Sequence, residues 1–204
     1  MPPDQIPAPA RRADAERNRD KILAAARAAF ADPEAGVPMG EVSMGEVSMG
    51  EVSMAEISRR AGVGMATLYR NFPGRQELLE ALYADEVSAI CLAAETARGQ
   101  TPGAVLQAWL HRFYAFVTSK HHIAAELLQH TDARNPLFDT GRARVLTAGR
   151  PLLDAAQRTH EVRDDLTLEQ ILDMIVAIAT IRRDTRYLEP ILATALDGLR
   201  PRPL

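Results

Sequence analysis

The chain has 204 residues, of which 47% are hydrophobic, enough for one domain or for a small module joined to a larger one. No run of 18 apolar residues occurs, which argues against a membrane span, and the single Cys91 excludes a disulfide framework and fits a cytoplasmic location. The formal net charge of −3 means that any binding of nucleic acid must depend on local charge.

The sequence of residues 1–30 predicts a disordered arm followed by a helix. Residues 1–13 are rich in proline and lack the apolar stretch of a secretory signal, so we expect them to be disordered. From residue 17 to residue 30, Ile22, Ala26 and Phe30 recur at helical spacing and form the apolar stripe of an amphipathic helix. The Asp-Pro pair that follows ends this pattern.

The five-residue sequence GEVSM occurs three times in succession over residues 40–54. This period suits neither a helix nor a strand, and it is far shorter than the roughly 20–50 residues of a solenoid repeat. We interpret the extra copies as a tandem duplication in an exposed, mobile loop, residues 39–52, where added length costs little entropy. Only after Ser53, in the third copy, does alanine replace glycine, so Ser53 is the predicted helix cap.

The stretch SMAEISRRAGVGMATLYRNF, residues 53–72, has the pattern of a helix-turn-helix motif. Ser53 and Glu56 have the spacing of a capping box, Ile57 points inward, and Gly62 supplies the turn between two short helices. In such a motif one helix crosses the phosphates and the next enters the major groove. Many helical hairpins share the pattern, so alone it is a weak signal.

The same region carries positive charge. Residues 54–75 contain four arginines and one acidic residue, a net charge of +3. A cluster of this kind is usually a solvated helix face, so it permits nucleic-acid binding without establishing it.

The rest of the chain also reads as helices, and no convincing alternating strand occurs. Thr101 and Pro102 are a cap and first-turn pair, Thr167 and Gln170 form a capping box, and Pro151 is expected to kink its helix. The further predicted helices cover residues 75–97, 101–120, 123–130, 140–159, 168–179 and 187–199. The sequence therefore predicts an all-α fold of about nine helices.

The run AEISRRAGVGMATLYRNFPGRQELLEALY, residues 55–83, resembles the TetR family of one-component transcriptional regulators. The matching residues are Gly62, Val63, Thr67, Leu68, Tyr69, Phe72, Arg75 and Leu78. The resemblance is strong over residues 14–85, and the C-terminal region more weakly resembles SbtR-type ligand-binding domains. It implies a DNA-binding domain over residues 14–74 and a ligand-binding and dimerisation domain over residues 75–200.

The resemblance also implies which residues contact DNA. The helix of about residues 64–71 would lie in the major groove, with Thr67 facing the base edges, Tyr69 on the phosphate backbone and Arg75 gripping a phosphate. The implied DNA-binding residues are Ser53, Gly64, Met65, Ala66, Thr67, Tyr69, Arg70, Asn71 and Arg75. The alternative for each is an ordinary surface or capping role.

A regulator of this class needs a sensor, and the second half of the chain supplies apolar residues for one. Candidate lining residues of an effector pocket are Cys91, Trp109, Phe113, Phe116, Leu127 and Phe138, with core packing as the alternative for each. The last two helices would, by resemblance, pair with their copies in a second subunit as a four-helix bundle. The predicted interface residues are Leu168, Ile171, Leu172, Ile175, Ile178, Leu188, Ile191, Leu192 and Leu196.

A different class of function is suggested by His122, Glu126 and His130, whose spacing puts them on one helix face. Three such residues in line span about 12 Å, which is too far for one ion, so we expect no metal and no cofactor. The chain shows neither a Ser–His–acid pattern nor a phosphate-binding glycine loop, so we do not expect an enzyme. A metal sensor, or a helical interaction protein without DNA binding, remains the alternative.

The prediction from sequence is a homodimeric DNA-binding regulator with no membrane association. It would act as a repressor, released from a palindromic operator by an unknown small-molecule effector. A dimer suits this role because two recognition helices must lie about 34–36 Å apart to meet successive major grooves. A further hypothesis is that Glu41, Glu46 and Glu51 of the repeats weaken operator binding by repulsion, which deletion of two copies would test.

Overall fold

Eight α-helices make up the regular structure of residues 8–31, 52–130, 136–181 and 183–201, which a computed structural model of the chain describes. This confirms the all-α prediction. The helices are α1 (Ala8–Ala31), α2 (Met54–Ala61), α3 (Met65–Asn71), α4 (Arg75–Glu95), α5 (Pro102–His130), α6 (Pro136–Arg158), α7 (Leu168–Ala179) and α8 (Thr185–Asp197).

The count is eight rather than about nine because the two helices predicted over residues 101–120 and 123–130 are one, α5. No glycine or proline follows Gly103 within α5, so nothing in its sequence ends the helix near residue 120. The helix α1 begins at Ala8, within the arm predicted to be disordered. Alanine is the best helix former and proline is tolerated in a first turn, which accounts for this earlier start.

Several sequence predictions fall outside the described residues. They include residues 1–7 of the arm and residues 39–51 of the repeat loop. Val52, the last residue of that predicted exposed loop, is described and is buried. The backbone of α5 includes His122, Glu126 and His130, but their side chains lie outside the described part of the structure.

The chain divides into two compact units, Met1–Leu82 and Tyr83–Leu204. The division falls within α4, later than the predicted boundary after residue 74, because Leu78, Leu79 and Leu82 of α4 are buried core residues of the first unit. In the first unit α1 packs against both α2 and α3. The other buried apolar residues of this unit are Ile22, Leu23, Ala26, Ala29, Phe30, Val52, Ile57, Leu68 and Phe72.

In the second unit α5 packs against α6 and α7, and α7 also packs against α6 and α8. The capping box predicted at the start of α7 is confirmed, since the Thr167 hydroxyl accepts from the Gln170 amide and the Gln170 side chain accepts from the Thr167 amide. The Asp184 carboxylate caps α8 by accepting a hydrogen bond of 2.9 Å from the Tyr187 amide. The helices α6 and α8 continue through Pro151 and Pro190. Among the described helices, none combines the length and apolar character that crossing a bilayer requires.

Candidate nucleic-acid interface

A capping hydrogen bond and a pair of buried apolar residues stabilise the start of α2. The Ser53 hydroxyl accepts a hydrogen bond of 3.1 Å from the Glu56 amide, which satisfies one of the free N–H groups of the first turn. Val52 and Ile57 are both buried and occupy the two positions that pack together in a hydrophobic staple. The third GEVSM copy, which contains Val52 and Ser53, therefore supplies the cap of α2.

The turn between α2 and α3 depends on Gly62 and Ser58. Gly62 has φ +64° and ψ 31°, a left-handed conformation that a glycine adopts without steric cost. Its N–H and that of Val63 return to carbonyls at the end of α2. The buried Ser58 hydroxyl donates to the Val63 carbonyl at 2.6 Å, which fixes the chain as it enters α3.

The helix α3 has one buried side and one exposed face. Leu68 is fully buried, and the exposed face consists of Met65, Ala66, Tyr69 and Arg70. Gly64 is the N-cap residue and makes no side-chain cap hydrogen bond. Thr67 and Asn71 are half-buried. The Thr67 hydroxyl accepts from Arg70 at 2.9 Å, and the Thr67 carbonyl accepts from the Asn71 amide at 2.8 Å.

Two arginines of α2 that the predicted site did not include are tied to one carboxylate. Glu56 accepts hydrogen bonds of 2.8 and 2.6 Å from Arg59 and one of 2.6 Å from Arg60. These bonds to Arg59 and Arg60 lower the pKa of the Glu56 carboxyl from 4.5 to about 2. Glu56 therefore neutralises part of the positive charge of α2, and its carboxylate serves the arginines rather than a capping box.

Arg75 lies at the start of α4 and is directed into the first unit. Its guanidinium donates to the Val52 carbonyl and lies over the Phe30 ring, 5.7 Å from the ring centroid. In this position Arg75 fixes the residue before the α2 cap, a role that sequence reasoning did not anticipate. Arg19 makes a similar contact, 4.7 Å from the centroid of Phe72.

The six candidate effector residues belong to the second unit and differ in exposure. Trp109, Phe113 and Leu127 are buried, whereas Cys91, Phe116 and Phe138 are half-buried. The rings of Trp109 and Phe113 are 6.1 Å apart, those of Phe113 and Phe116 are 5.9 Å apart, and Phe138 meets Tyr83 edge-on at 5.1 Å. Burial raises the pKa of the Cys91 thiol. The close ring contacts favour core packing for Trp109 and Phe113.

Two openings in the second unit are lined by other residues. One, of about 250 Å³, lies among the start of α5, the end of α8 and the loop after α6, and Leu106, Leu110, Leu196 and Glu161 line it. The Glu161 carboxylate there accepts from the Gly103 amide at 3.2 Å and from the Thr159 hydroxyl at 2.9 Å. The other, of about 310 Å³, is lined chiefly by residues 99–102, Val105 and Leu152.

The predicted dimer residues are mostly buried within their own subunit. These are Leu168, Ile171, Leu172, Ile175, Ile178, Leu188, Leu192 and Leu196, while Ile191 is half-buried. Helical periodicity correctly predicted an apolar stripe on α7. In the structure α7 packs against α5, α6 and α8 of the same subunit. Ala177 of α7 and Ala193 of α8 are exposed.

The comparisons with known proteins agree with this geometry. A family profile described as "Bacterial regulatory proteins, tetR family" matches residues 40–82. A second profile, "Transcriptional regulator SbtR-like, C-terminal domain", matches residues 101–201. A search of curated proteins finds no match.

Solved structures of similar proteins cover nearly the whole chain. A TetR transcriptional regulator from Streptomyces coelicolor is 32% identical with a TM-score of 0.71, over 91% of this chain and 99% of that chain. The TetR regulatory protein from Mycobacterium vanbaalenii is 30% identical with a TM-score of 0.69, over 93% and 99%. A TetR family regulator from Marinobacter aquaeolei is 18% identical with a TM-score of 0.55, over 94% and 100%, a likeness of fold alone.

Proposed function

The chain belongs to the TetR family of bacterial transcriptional regulators, and we propose that it is a repressor that leaves a palindromic operator when a small molecule binds. The observation that carries this proposal is the exposed face of α3, whose Met65, Ala66, Tyr69 and Arg70 follow a capped and hydrogen-bonded α2 and turn. A recognition helix must expose such a face to enter a major groove.

The DNA contacts follow from the exposure of each residue. Met65, Ala66 and Thr67 lie in the first turn of α3 and would face the bases, since the first residues of a recognition helix make most base contacts. Tyr69 and Arg70 would contact phosphates, as would the Ser53 hydroxyl at the start of α2. Gly64 and Asn71 would position α3, because one is its N-cap residue and the other bonds to the helix backbone.

The second unit would supply dimerisation and effector binding. The outer faces of α7 and α8 would pair with their copies, since the apolar stripes of both helices are already buried in the subunit. The effector would be a small molecule bound in the second unit, with the half-buried Cys91, Phe116 and Phe138 as candidate contact residues. Its affinity and the affinity for DNA would be coupled reciprocally through the two conformations of the dimer.

The residues favour this role over the alternatives. A regulator of this kind acts in the cytoplasm, where bacterial DNA lies, and needs no catalytic group, metal or cofactor. Among the described residues, no group of three potential metal ligands comes together. His122, Glu126 and His130 have side chains outside that set, so elemental analysis of the purified protein is the test for a metal sensor.

Selection of bound sequences from a random DNA pool tests the proposal directly. The proposed dimer should recover a palindrome with half-sites separated by one helical turn, and its affinity should fall steeply as salt rises. Arg70→Ala should weaken binding of the recovered site, whereas Arg98→Ala, an exposed arginine of the second unit, should leave binding unchanged. A dimer that enriches no sequence at any salt concentration would contradict the proposal and favour an interaction protein.

A further inference from the structure

The leading end of α3 is unusually apolar for a surface that is to meet DNA. Among the described residues of the first unit, the large hydrophobic side chains that are exposed are Met65, at 39%, and Tyr69, at 47%. They are four residues apart on a seven-residue helix and therefore share a face. Ala66, beside Met65, is also exposed, so two adjacent apolar side chains lie at the surface of the first turn of α3.

The side chains of Arg70 and Asn71 bond back to Thr67 of the same helix. The Arg70 guanidinium donates to the Thr67 hydroxyl at 2.9 Å, and the Asn71 amide donates to the Thr67 carbonyl at 2.8 Å. Gly64, Met65 and Ala66 carry no side-chain N–H or O–H group. The side-chain hydroxyl in the first turn is that of Thr67, and its oxygen accepts the bond from Arg70.

A surface of this kind reads bases through apolar contact. Thymine is the one standard base that places a methyl group in the major groove, and apolar side chains discriminate it by packing against that methyl. The flexible, polarizable methionine side chain adapts well to such a surface. We propose that Met65, with Ala66, reads the C5-methyl groups of thymines, so that each operator half-site contains one or two thymines that the protein recognises by their methyl group. This inference rests on the proposed DNA-binding function.

The test replaces single thymines by deoxyuridine in the operator recovered from the random pool. Uracil keeps every hydrogen-bonding group of thymine and lacks only the methyl, so a change in affinity reports the methyl contact alone. At one or two positions in each half-site, we expect the dissociation constant to rise roughly fourfold for each methyl removed. This factor corresponds to the free energy of burying one methyl-sized group. At the remaining thymines we expect less than a twofold change.

The variant Met65→Ala should abolish the sensitivity to uracil at the thymine that Met65 contacts, and α3 should stay folded because alanine favours helix and the Met65 side chain is exposed. Leu92→Ala is the matched control, since Leu92 is an exposed apolar residue of the second unit, and it should keep the full uracil effect. Specific binding that no uracil substitution weakens by more than twofold would overturn the inference and leave the proposed function intact. Failure to recover any specific site would reject the proposed function itself.

Discussion

The indole of Trp109 in α5 lies directly against Gly149 in α6. A Cβ atom placed on Gly149 would be 2.6 Å from Cζ3 of the indole and closer still to Cη2. The indole cannot move aside, because it is fully buried and its N–H donates to the Ile90 carbonyl at 3.1 Å. The close approach of α5 and α6 in the second unit thus depends on the missing side chain of Gly149.

The substitution Gly149→Ala is expected to destabilise the second unit. Alanine stabilises a helix by about 1 kcal/mol relative to glycine, whereas overpacking a core typically costs about 1–3 kcal/mol. Because the buried indole has no room to move, we expect the overpacking cost to be larger and the stability of the second unit to fall. Urea unfolding monitored by Trp109 fluorescence measures it. Ala143→Gly, at an exposed position of the same helix, is the control and measures the helix-propensity term alone. An increase in stability for Gly149→Ala would contradict the packing argument.

Replacement of Arg75 by alanine separates a structural role from a DNA-contacting one. The Arg75 guanidinium donates a hydrogen bond to the carbonyl of the buried Val52. Arg75→Ala removes this donor, and the loss should lower the free energy of unfolding by about 1–3 kcal/mol. Arg112→Ala, at an exposed position of α5, is the control and should change stability by less than about 0.5 kcal/mol. Arg75→Ala could instead leave stability unchanged and reduce the slope of log affinity against log salt concentration by about 1. That result would show that Arg75 contacts a phosphate.

Local signals in the sequence were sufficient for much of the fold. Ser53 and Thr167 were predicted as caps from the residues three positions later, and Gly62 was predicted as the turn of the helix-turn-helix motif. All three hold in the structure, because a cap or a left-handed turn depends on residues close in sequence. The family motif likewise predicts the helix-turn-helix domain, because its residues fall within one continuous stretch of the sequence.

Features that depend on distant residues were not predictable in this way. The apolar stripe of α7 is evident from its period, but periodicity does not say whether Leu172 and Ile175 meet their own core or a second subunit. The contact of Arg75 with Val52 joins residues that are 23 positions apart. The Glu56 carboxylate suits both a capping box and an ion pair, and only the folded geometry of Arg59 and Arg60 decides between them.

The Glu56 carboxylate should make stability depend on pH in the acid range. Its pKa in the folded protein is about 2, below the ordinary 4.5, so the ionised form favours folding. This contribution is complete above about pH 4.5 and is lost as the pH falls towards 2. Urea midpoints of the natural chain and of Glu56→Gln should therefore differ at pH 7 and converge at low pH.

The comparison with Glu56→Gln isolates this group from others that titrate in the same range. The pKa values of Glu161 and Glu169 are also lowered, chiefly by hydrogen bonds with Thr101 and with the backbone amide at residue 169 respectively, so the total acid sensitivity has several sources. A difference between the two proteins that stays constant from pH 7 to pH 2 would show that the ionisation of Glu56 does not stabilise the fold.

The outer faces of α7 and α8 provide the sharpest test of the proposed dimer. Ala177 is exposed near the end of α7 and Ala193 in the middle part of α8, and close packing of helices against their copies requires small side chains there. Ala193→Arg should convert the dimer into a monomer of 22.3 kDa by light scattering and weaken operator binding, without loss of subunit stability. Ala89→Arg, at an exposed alanine of α4, is the matched control and should remain dimeric. A dimer that tolerates arginine at Ala193 would place the interface on another surface of the second unit.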